Sequence, residues 1–309
     1  MKIHHGLVPS ADGARPLVLA IGFFDGFHRG HRELVRALLR LRRPGYRAAV
    51  LTFRSHPASF LRPGFEPPLI TTLEERIDLL ASSGIDELYL SDFDAHMAHT
   101  EARAFLLRAL HEQLRVRALV VGENFRFGKD RAGDAGVARE VLGPLGVEVV
   151  AVPPLLDEDE RISSTRVRAA IARGDFATAN RLLGEPWTLR GRVVLGAGRG
   201  HDLGFPTANL DVPPEKMLPV DGVYAALARH DGRDRRALVS IGTNPTFDGR
   251  KRTVEAWLVD FQHTIYGEEL SLRDLRFVRE QRRFAGPDEL LAQMQEDVSH
   301  VRFPTFSLT

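Results

Sequence analysis

The chain has 309 residues, with 42 Lys plus Arg against 41 Asp plus Glu, a net charge of +1 and no cysteine. That length suits two domains with separate cores, while the charge balance and the lack of like-charge blocks exclude an extended nucleic-acid surface, and the missing cysteines exclude disulfides and thiolate metal sites. No apolar run reaches bilayer length and the first ten residues lack the apolar core of a signal peptide, so a soluble cytoplasmic protein with no membrane partner is expected.

Over the first part of the chain, short β-branched runs alternate with amphipathic stretches. Strands are expected at 17–24, 47–53, 87–90, 117–121 and 147–152, and helices at 32–41, 73–81, 101–114 and 133–142. Such alternation predicts a Rossmann-like α/β domain whose parallel sheet is covered on both faces, with ligands outside the carboxyl ends of the strands. Two short helices follow, 164–172 and 176–183, and Gly184-Glu185-Pro186 then breaks the pattern. The domains are therefore expected at 1–184 and 185–309. Beyond the break, strands at 187–195, 223–228, 237–241, 254–261 and 270–277, joined by Gly, Pro and Asp turns, predict a small antiparallel β-barrel. A terminal helix from Pro287 is expected to bury Leu290, Leu291, Met294 and Val298 on one face.

The run from Ile21 to His31, IGFFDGFHRGH, opens where the first strand gives way to a helix beginning near Gly30. Gly22, Gly26 and Gly30 let the backbone turn sharply and approach a ligand. His28 and His31, three apart at the mouth of the helix, can face one anion together. An HxGH sequence after a strand is the signature of nucleotidyl transfer, in which a phosphate joins the α-phosphorus of ATP and pyrophosphate leaves. A chance pair or a metal pair is the alternative.

Three more segments end at the same predicted sheet edge. His56, held extended before Pro57, either points into the cleft or is a surface turn histidine. Asn124 can bond a phosphate or base, while Phe125 and Phe127 either pack in the core or stack on a ligand. The run Arg161-Ile162-Ser163-Ser164-Thr165-Arg166-Val167-Arg168 reads as an ordinary helix cap or as a triphosphate cradle. Arg166 and Arg168 cannot both face one ligand on a regular helix. His96 and His99 lie before a predicted helix and read as surface residues rather than zinc ligands.

In the second part, Gly196, Gly198 and Gly200 form a glycine turn followed by Gly204-Phe205-Pro206-Thr207-Ala208-Asn209. The Thr207 hydroxyl and Asn209 carboxamide are hard oxygen ligands two apart in an extended segment, suited to Mg²⁺ completed by phosphate and water; an exposed polar strand is the plain alternative. Glu255 shares a strand face with Trp257, opposite Val254 and Leu258, and can accept a hydroxyl proton as that hydroxyl attacks a γ-phosphate; otherwise it is a solvent-facing strand residue.

Taken in order, the 21–31 run, the element at 52–57, the VGxNFxFG pattern at 121–128 and SSTRVR at 163–168 resemble the FMN adenylyltransferase module of prokaryotic bifunctional riboflavin kinase/FAD synthetases. The later segments, GxGRG…GFPTANL, DGVY, IGTNPTF and VExxLxDF, resemble their riboflavin kinase module, so the likeness spans about 15 to 300. The resemblance implies that His28 and His31 hold the ATP phosphates as pyrophosphate departs. It implies that Gly22, Phe24, Asp25, Gly26, Asn124, Arg161, Ser164, Thr165 and Arg168 line the nucleotide and phosphate site. Thr207 and Asn209 then bind Mg·ATP, Gly198, Gly200 and Gly204 lie along the phosphates, Glu255 activates the ribityl hydroxyl, and Arg279 falls in a flavin-side segment. Phe23 where the family often has Asn, Trp257 where His or Tyr is common, and Gln281 in place of a frequent acid are departures. Riboflavin, FMN and ATP are the implied small-molecule partners, and self-association is compatible with the sequence. Two other readings are an adenylyltransferase for another phosphate ester and a flavin-binding protein without turnover.

Overall fold

The stretch Leu17–Ile21 is apolar at every position because both faces of its strand are covered. Leu17, Leu19 and Ile21 enter one core with Phe105, Leu110, Ala138 and Leu142. Val18 and Ala20 enter another with Val35, Leu38 and Leu80. Continuous burial on both faces is the mark of a parallel sheet under two helix layers. The computed structural model describes residues 1–9, 15–62, 64–196, 207–243, 252–282, 284 and 286–302. It forms two compact units, Met1–Ser164 and Thr165–Thr309.

In the first unit the strands are β1 (Lys2–His5), β2 (Leu17–Ile21), β3 (Arg47–Phe53), β4 (Glu87–Ser91), β5 (Val116–Gly122) and β6 (Glu148–Val152). They pair in the order β1-β4-β3-β2-β5-β6, every contact parallel. The chain moves outward from β2 through β3 to β4, then returns to the other side of β2 with β5. The sheet therefore has its topological switch point between β2 and β5, where open α/β sheets leave a crevice beyond the strand ends. The helices are α1 (Arg29–Leu41), α2 (Pro57–Leu61), α3 (Leu73–Ser82), α4 (Ala95–His99), α5 (Ala102–Ala104) and α6 (Ala135–Leu142). A π-helical segment, Phe105–Gln113, continues α5, and a two-stranded ribbon of β7 (Leu156–Asp157) and β8 (Glu160–Arg161) follows β6.

Several boundaries differ from the expected ones for local reasons. β2 stops at Ile21 rather than 24, because Phe24 turns into the left-handed region at φ 60° and starts a short 3-10 turn. α1 starts at Arg29 because His28 caps it. β1 was not expected: its burial pattern has one buried position in four, too short an alternation to stand out. At the amino ends of the strands, away from the switch-point crevice, buried Arg47 donates to Glu87 at 2.8 Å and Tyr89 adds a hydroxyl bond at 3.0 Å.

The second unit opens with α7, which begins at the boundary itself (Ser164–Ala172), and α8 (Phe176–Leu183). Phe176 of α8 stacks on Trp187 at 5.6 Å and meets Tyr224 edge-on at 5.9 Å, so α8 packs with the strands that follow. Those strands are β9 (Leu189–Val194), β10 (Thr207–Asp211), β11 (Gly222–His230), β12 (Arg233–Thr243), β13 (Arg252–Leu258) and β14 (Glu269–Arg279). They close an antiparallel barrel in the order β10-β13-β12-β11-β14-β9. The terminal helix α9 (Pro287–Arg302) lays Val298 against Val223, Ala225 and Leu238, with Trp257 and Val278 alongside. Among the described residues no helix is long and apolar enough to cross a membrane.

Candidate functional site

The turn between β2 and α1 sits at the switch point, and its geometry is set by buried polar contacts. The Asp25 carboxylate, 1% exposed, accepts from the Ile70 and Thr71 backbone N–H groups at 3.2 and 3.0 Å and from the Thr71 hydroxyl at 3.2 Å. Thr71 Oγ1 in turn accepts from Gly26 N at 3.0 Å. Gly26 has φ +78° and a Cβ there would meet Ile70 at 2.9 Å, so only glycine fits the turn. α3 begins just beyond Thr71 with a capping box between Thr72 and Glu75. Its Arg76 donates to the Phe23, Phe53 and Arg54 carbonyls, and Thr52 Oγ1 also donates to Phe23 at 3.0 Å.

On this seat the His28 and His31 rings stack, centroids 3.7 Å apart and 13° from parallel. His28 Nδ1 accepts from His31 N at 3.3 Å as the cap of α1. An imidazole accepting at Nδ1 carries its proton on Nε2 when neutral. His31 is held well below the usual histidine pKa, by burial first and then by the charges of His28, Arg161 and Arg76. It is therefore neutral near pH 7. Its Nδ1 is sealed from solvent, with no hydrogen-bond partner among the described residues. A neutral His31 avoids a second cation stacked against His28 in the resting site.

The other expected residues of this site fall as follows. Gly22 is half-buried, and a Cβ on it would press on the Phe24 ring at 3.0 Å. The Phe24 side chain is wholly buried in the core, so any contact it makes with a nucleotide is through its main chain. Ser164, the last residue of the first unit, donates to the Asp25 carbonyl at 3.0 Å. Arg161 is exposed on β8. Asn124 is exposed in the turn beyond β5, at the same sheet edge. Phe125 and Phe127 pack on the core, so the core alternative holds for them. His56 caps α2 through Nδ1 and meets the Phe23 ring edge-on at 4.6 Å, so Phe23 packs. Thr165 and Arg168 lie on α7 in the second unit, exposed and half-buried; Arg166 and Arg168 flank fully buried Val167. His96 and His99 are exposed on α4, and no group of three or more His, Asp or Glu side chains among the described residues could hold a metal.

On the barrel, strand register does what sequence spacing could not. Asn209 lies directly opposite Glu255, Glu255 opposite Ser240, and Thr207 opposite Trp257. Facing residues in an antiparallel pair share a face. Val254, Ala256 and Leu258 are buried, while Glu255 and Trp257 are half-buried on the other side. Asn209, Glu255 and Ser240 thus form one polar row across three strands, with Thr207 on the same face two residues along β10. The Asn209 carboxamide lies over Gly196, where a Cβ would overlap it. Gln281 donates to Ser240 Oγ at 3.0 Å. Ser240 escaped the sequence reading because its only signal is its register. Arg279 is engaged by Asp297 of α9 in a bidentate pair, Nε at 2.9 and Nη2 at 2.7 Å, and Gln293 also reaches Asp297. Gly198, Gly200 and Gly204, with Phe205, Pro206 and the 244–247 segment, lie outside the described residues.

The FAD synthetase family model matches residues 11–166, and the riboflavin kinase family model matches residues 183–303. The bifunctional riboflavin kinase/FMN adenylyltransferase of Listeria monocytogenes is 34% identical, covering 97% of this chain and 96% of its own. Its Escherichia coli K12 counterpart is 36% identical, covering 91% and 90%. A solved structure described as a macrolide-efflux protein from Streptococcus pneumoniae is 33% identical, with a TM-score of 0.86 over 97% of this chain and 99% of that one.

Proposed function

The chain belongs to the bifunctional riboflavin kinase/FMN adenylyltransferase family, and on that premise we propose how its two halves divide the work. Residues 185–309 phosphorylate riboflavin to FMN, and residues 1–184 adenylylate FMN to FAD. The observation that carries the division is that each half has its own reactive-type constellation: the stacked His28–His31 pair at the switch point, and the Asn209–Glu255–Ser240 row on the barrel.

In adenylyl transfer an FMN phosphate oxygen attacks the α-phosphorus of ATP, and the bond to the β-phosphate oxygen breaks to release pyrophosphate. No covalent protein intermediate is needed. The chain supplies position and charge stabilisation. The imidazoles of His28 and His31 donate to the polyphosphate, and the phosphate charge raises their affinity for protons as negative charge builds on the leaving group. Gly22, Asp25, Gly26, Arg161 and Ser164 shape the cradle, with Asn124 at the flavin or nucleotide end. Thr165 and Arg168 follow on α7.

In the kinase half, Glu255 accepts the proton of the riboflavin 5′-hydroxyl as it attacks the γ-phosphorus and ADP leaves. Thr207 and Asn209 offer two hard oxygens on one face beside a carboxylate, a donor set that fits Mg²⁺ held by few protein groups. When bound, Mg²⁺ would neutralise phosphate charge there. Gly198, Gly200 and Gly204 are assigned to the phosphate loop, and Arg279 supports the flavin side through its hold on α9. Reaction in the cytoplasm follows from the need for ATP, and each constellation comes from one chain, so self-association is not required.

The test is chromatography of products from purified protein given riboflavin, MgCl₂ and ATP, with a parallel incubation starting from FMN. FMN appearing first and FAD after it supports the division. FMN alone would leave the N-terminal half without its proposed substrate.

A further inference from the structure

Beneath the His28–His31 turn lies a buried cation that neither reaction uses. Arg76 of α3 is 0% exposed, and all three of its hydrogen bonds go to main-chain carbonyls: Phe23 at 3.1 Å, Phe53 at 2.7 Å and Arg54 at 3.2 Å. Its guanidinium lies 4.2 Å from the centre of the Phe23 ring, and its Nε meets no hydrogen-bond partner among the described residues. Among the described residues it forms no ion pair. Burial draws its pKa down to about 10, with nearby Asp25 opposing that shift, so it stays charged at neutral pH. A buried cation normally pairs directly with a carboxylate; this one hydrogen-bonds only to carbonyls, with the Asp25 charge nearby.

The carbonyls belong to two different strand ends. Phe23 lies in the turn that carries His28 and His31, whereas Phe53 ends β3 and Arg54 follows it toward His56. A planar fork can hold both turns at a set spacing, which a lysine ammonium on a flexible stem cannot reproduce. We propose that Arg76 is a positioning residue for adenylyl transfer: its fork sets the seat of the His28–His31 pair, and its unpaired charge attracts the triphosphate of ATP. The inference rests on the reading that this pair receives ATP. The charged groups bearing on His31 support it. These are His28 from the helix cap, Arg161 from β8 and Arg76 from α3, and each cation disfavours protonation of the imidazole in the resting site.

The experiment compares Arg76→Met and Arg76→Lys in the full chain. Each is read by NMR titration of the His31 imidazole, assigned against His31→Asn, and by steady-state adenylylation of FMN. Riboflavin phosphorylation by the same molecules reports folding. Arg76→Met is expected to raise the His31 pKa, raise KM for ATP and lower kcat/KM on the order of 100-fold, with the kinase step unchanged. Arg76→Lys keeps the charge, so it should restore the low His31 pKa and much of KM, while kcat stays down about tenfold for want of the fork. A wild-type His31 titration in Arg76→Met, or a wild-type kcat in Arg76→Lys, overturns the proposal. If Arg76→Met does not fold, the kcat of Arg76→Lys decides alone. Should the wild-type chain make no FAD from FMN, the assignment of the site fails instead, and the His31 titration still tests the link to Arg76.

Discussion

The two candidate sites are built in opposite ways. In the first unit the site is a turn at the end of a parallel sheet, and what holds it is buried: Asp25 is 1% exposed, His28 6% and Arg76 0%. On the barrel, Thr207, Asn209, Ser240 and Glu255 are half-buried side chains on a regular strand face, aligned by register alone. A loop site needs a buried polar framework, because a turn has no ladder to fix it. A strand site inherits its precision from the ladder and needs only the right residue at each facing position. The first should therefore be sensitive to changes beneath the reacting groups, and the second mainly to changes at them.

The largest effects should separate the halves. His28→Ala and His31→Ala are each expected to lower FAD formation from FMN by about 10²–10³-fold while FMN formation persists. Glu255→Gln should lower FMN formation by about 10²–10⁴-fold with adenylylation of supplied FMN intact. Product chromatography reads both, and equal loss of both activities in every variant would break the comparison. Next comes Asp25→Ala, which leaves two backbone N–H groups and a threonine hydroxyl without their acceptor. It should cost at least about 1–3 kcal/mol locally, read as faster amide exchange across 22–31 and 70–72 with the kinase step unaffected.

A smaller effect is expected on the barrel. Asp297→Ala removes the acceptor that anchors Arg279 to α9. Both tryptophans, Trp187 and Trp257, lie in the second unit, and Trp257 packs beside Val298. Intrinsic fluorescence should therefore show α9 loosening, with a fall of about 1–3 kcal/mol in the midpoint for that unit. The smallest effect is in pH. His31 has a native pKa below that of the unfolded chain, so between about pH 6.5 and its native value the unfolded state binds more protons. Stability of the first unit should thus be full above about pH 6.5 and decline as pH falls through that window. His31→Asn should flatten the decline, measured by exchange at pH 5 to 7.

Much of this was legible in the chain. The strand at 47–53 is found at its expected limits because the apolar run Ala48 to Leu51, extended by Thr52 and Phe53, leaves no competing period. Others shifted where a single residue overrode the pattern, as at Phe24, whose left-handed turn ended β2 early. The His28–His31 pair was visible because glycine spacing and a helix start are local features. Phe24 entering the core, Arg279 turning to Asp297, and the roles of Thr71, Arg76 and Ser240 were not visible, since each depends on packing, on strand register or on a partner outside its own element (Arg279 and Asp297 are 18 apart, Thr71 and Asp25 46, Arg76 and Phe23 53).

The sequence by itself determined the element types, the change from α/β to barrel texture and the family resemblance, because periodicity, turn residues and short motifs are properties of neighbouring residues. Only the tertiary structure decided which side chains meet: the parallel order that puts β2 at the switch point, the fork of Arg76 across two strand ends, and the register that sets Asn209, Glu255 and Ser240 in one row. Pairing and burial are long-range, and the energy that selects them is spread over contacts no local pattern records.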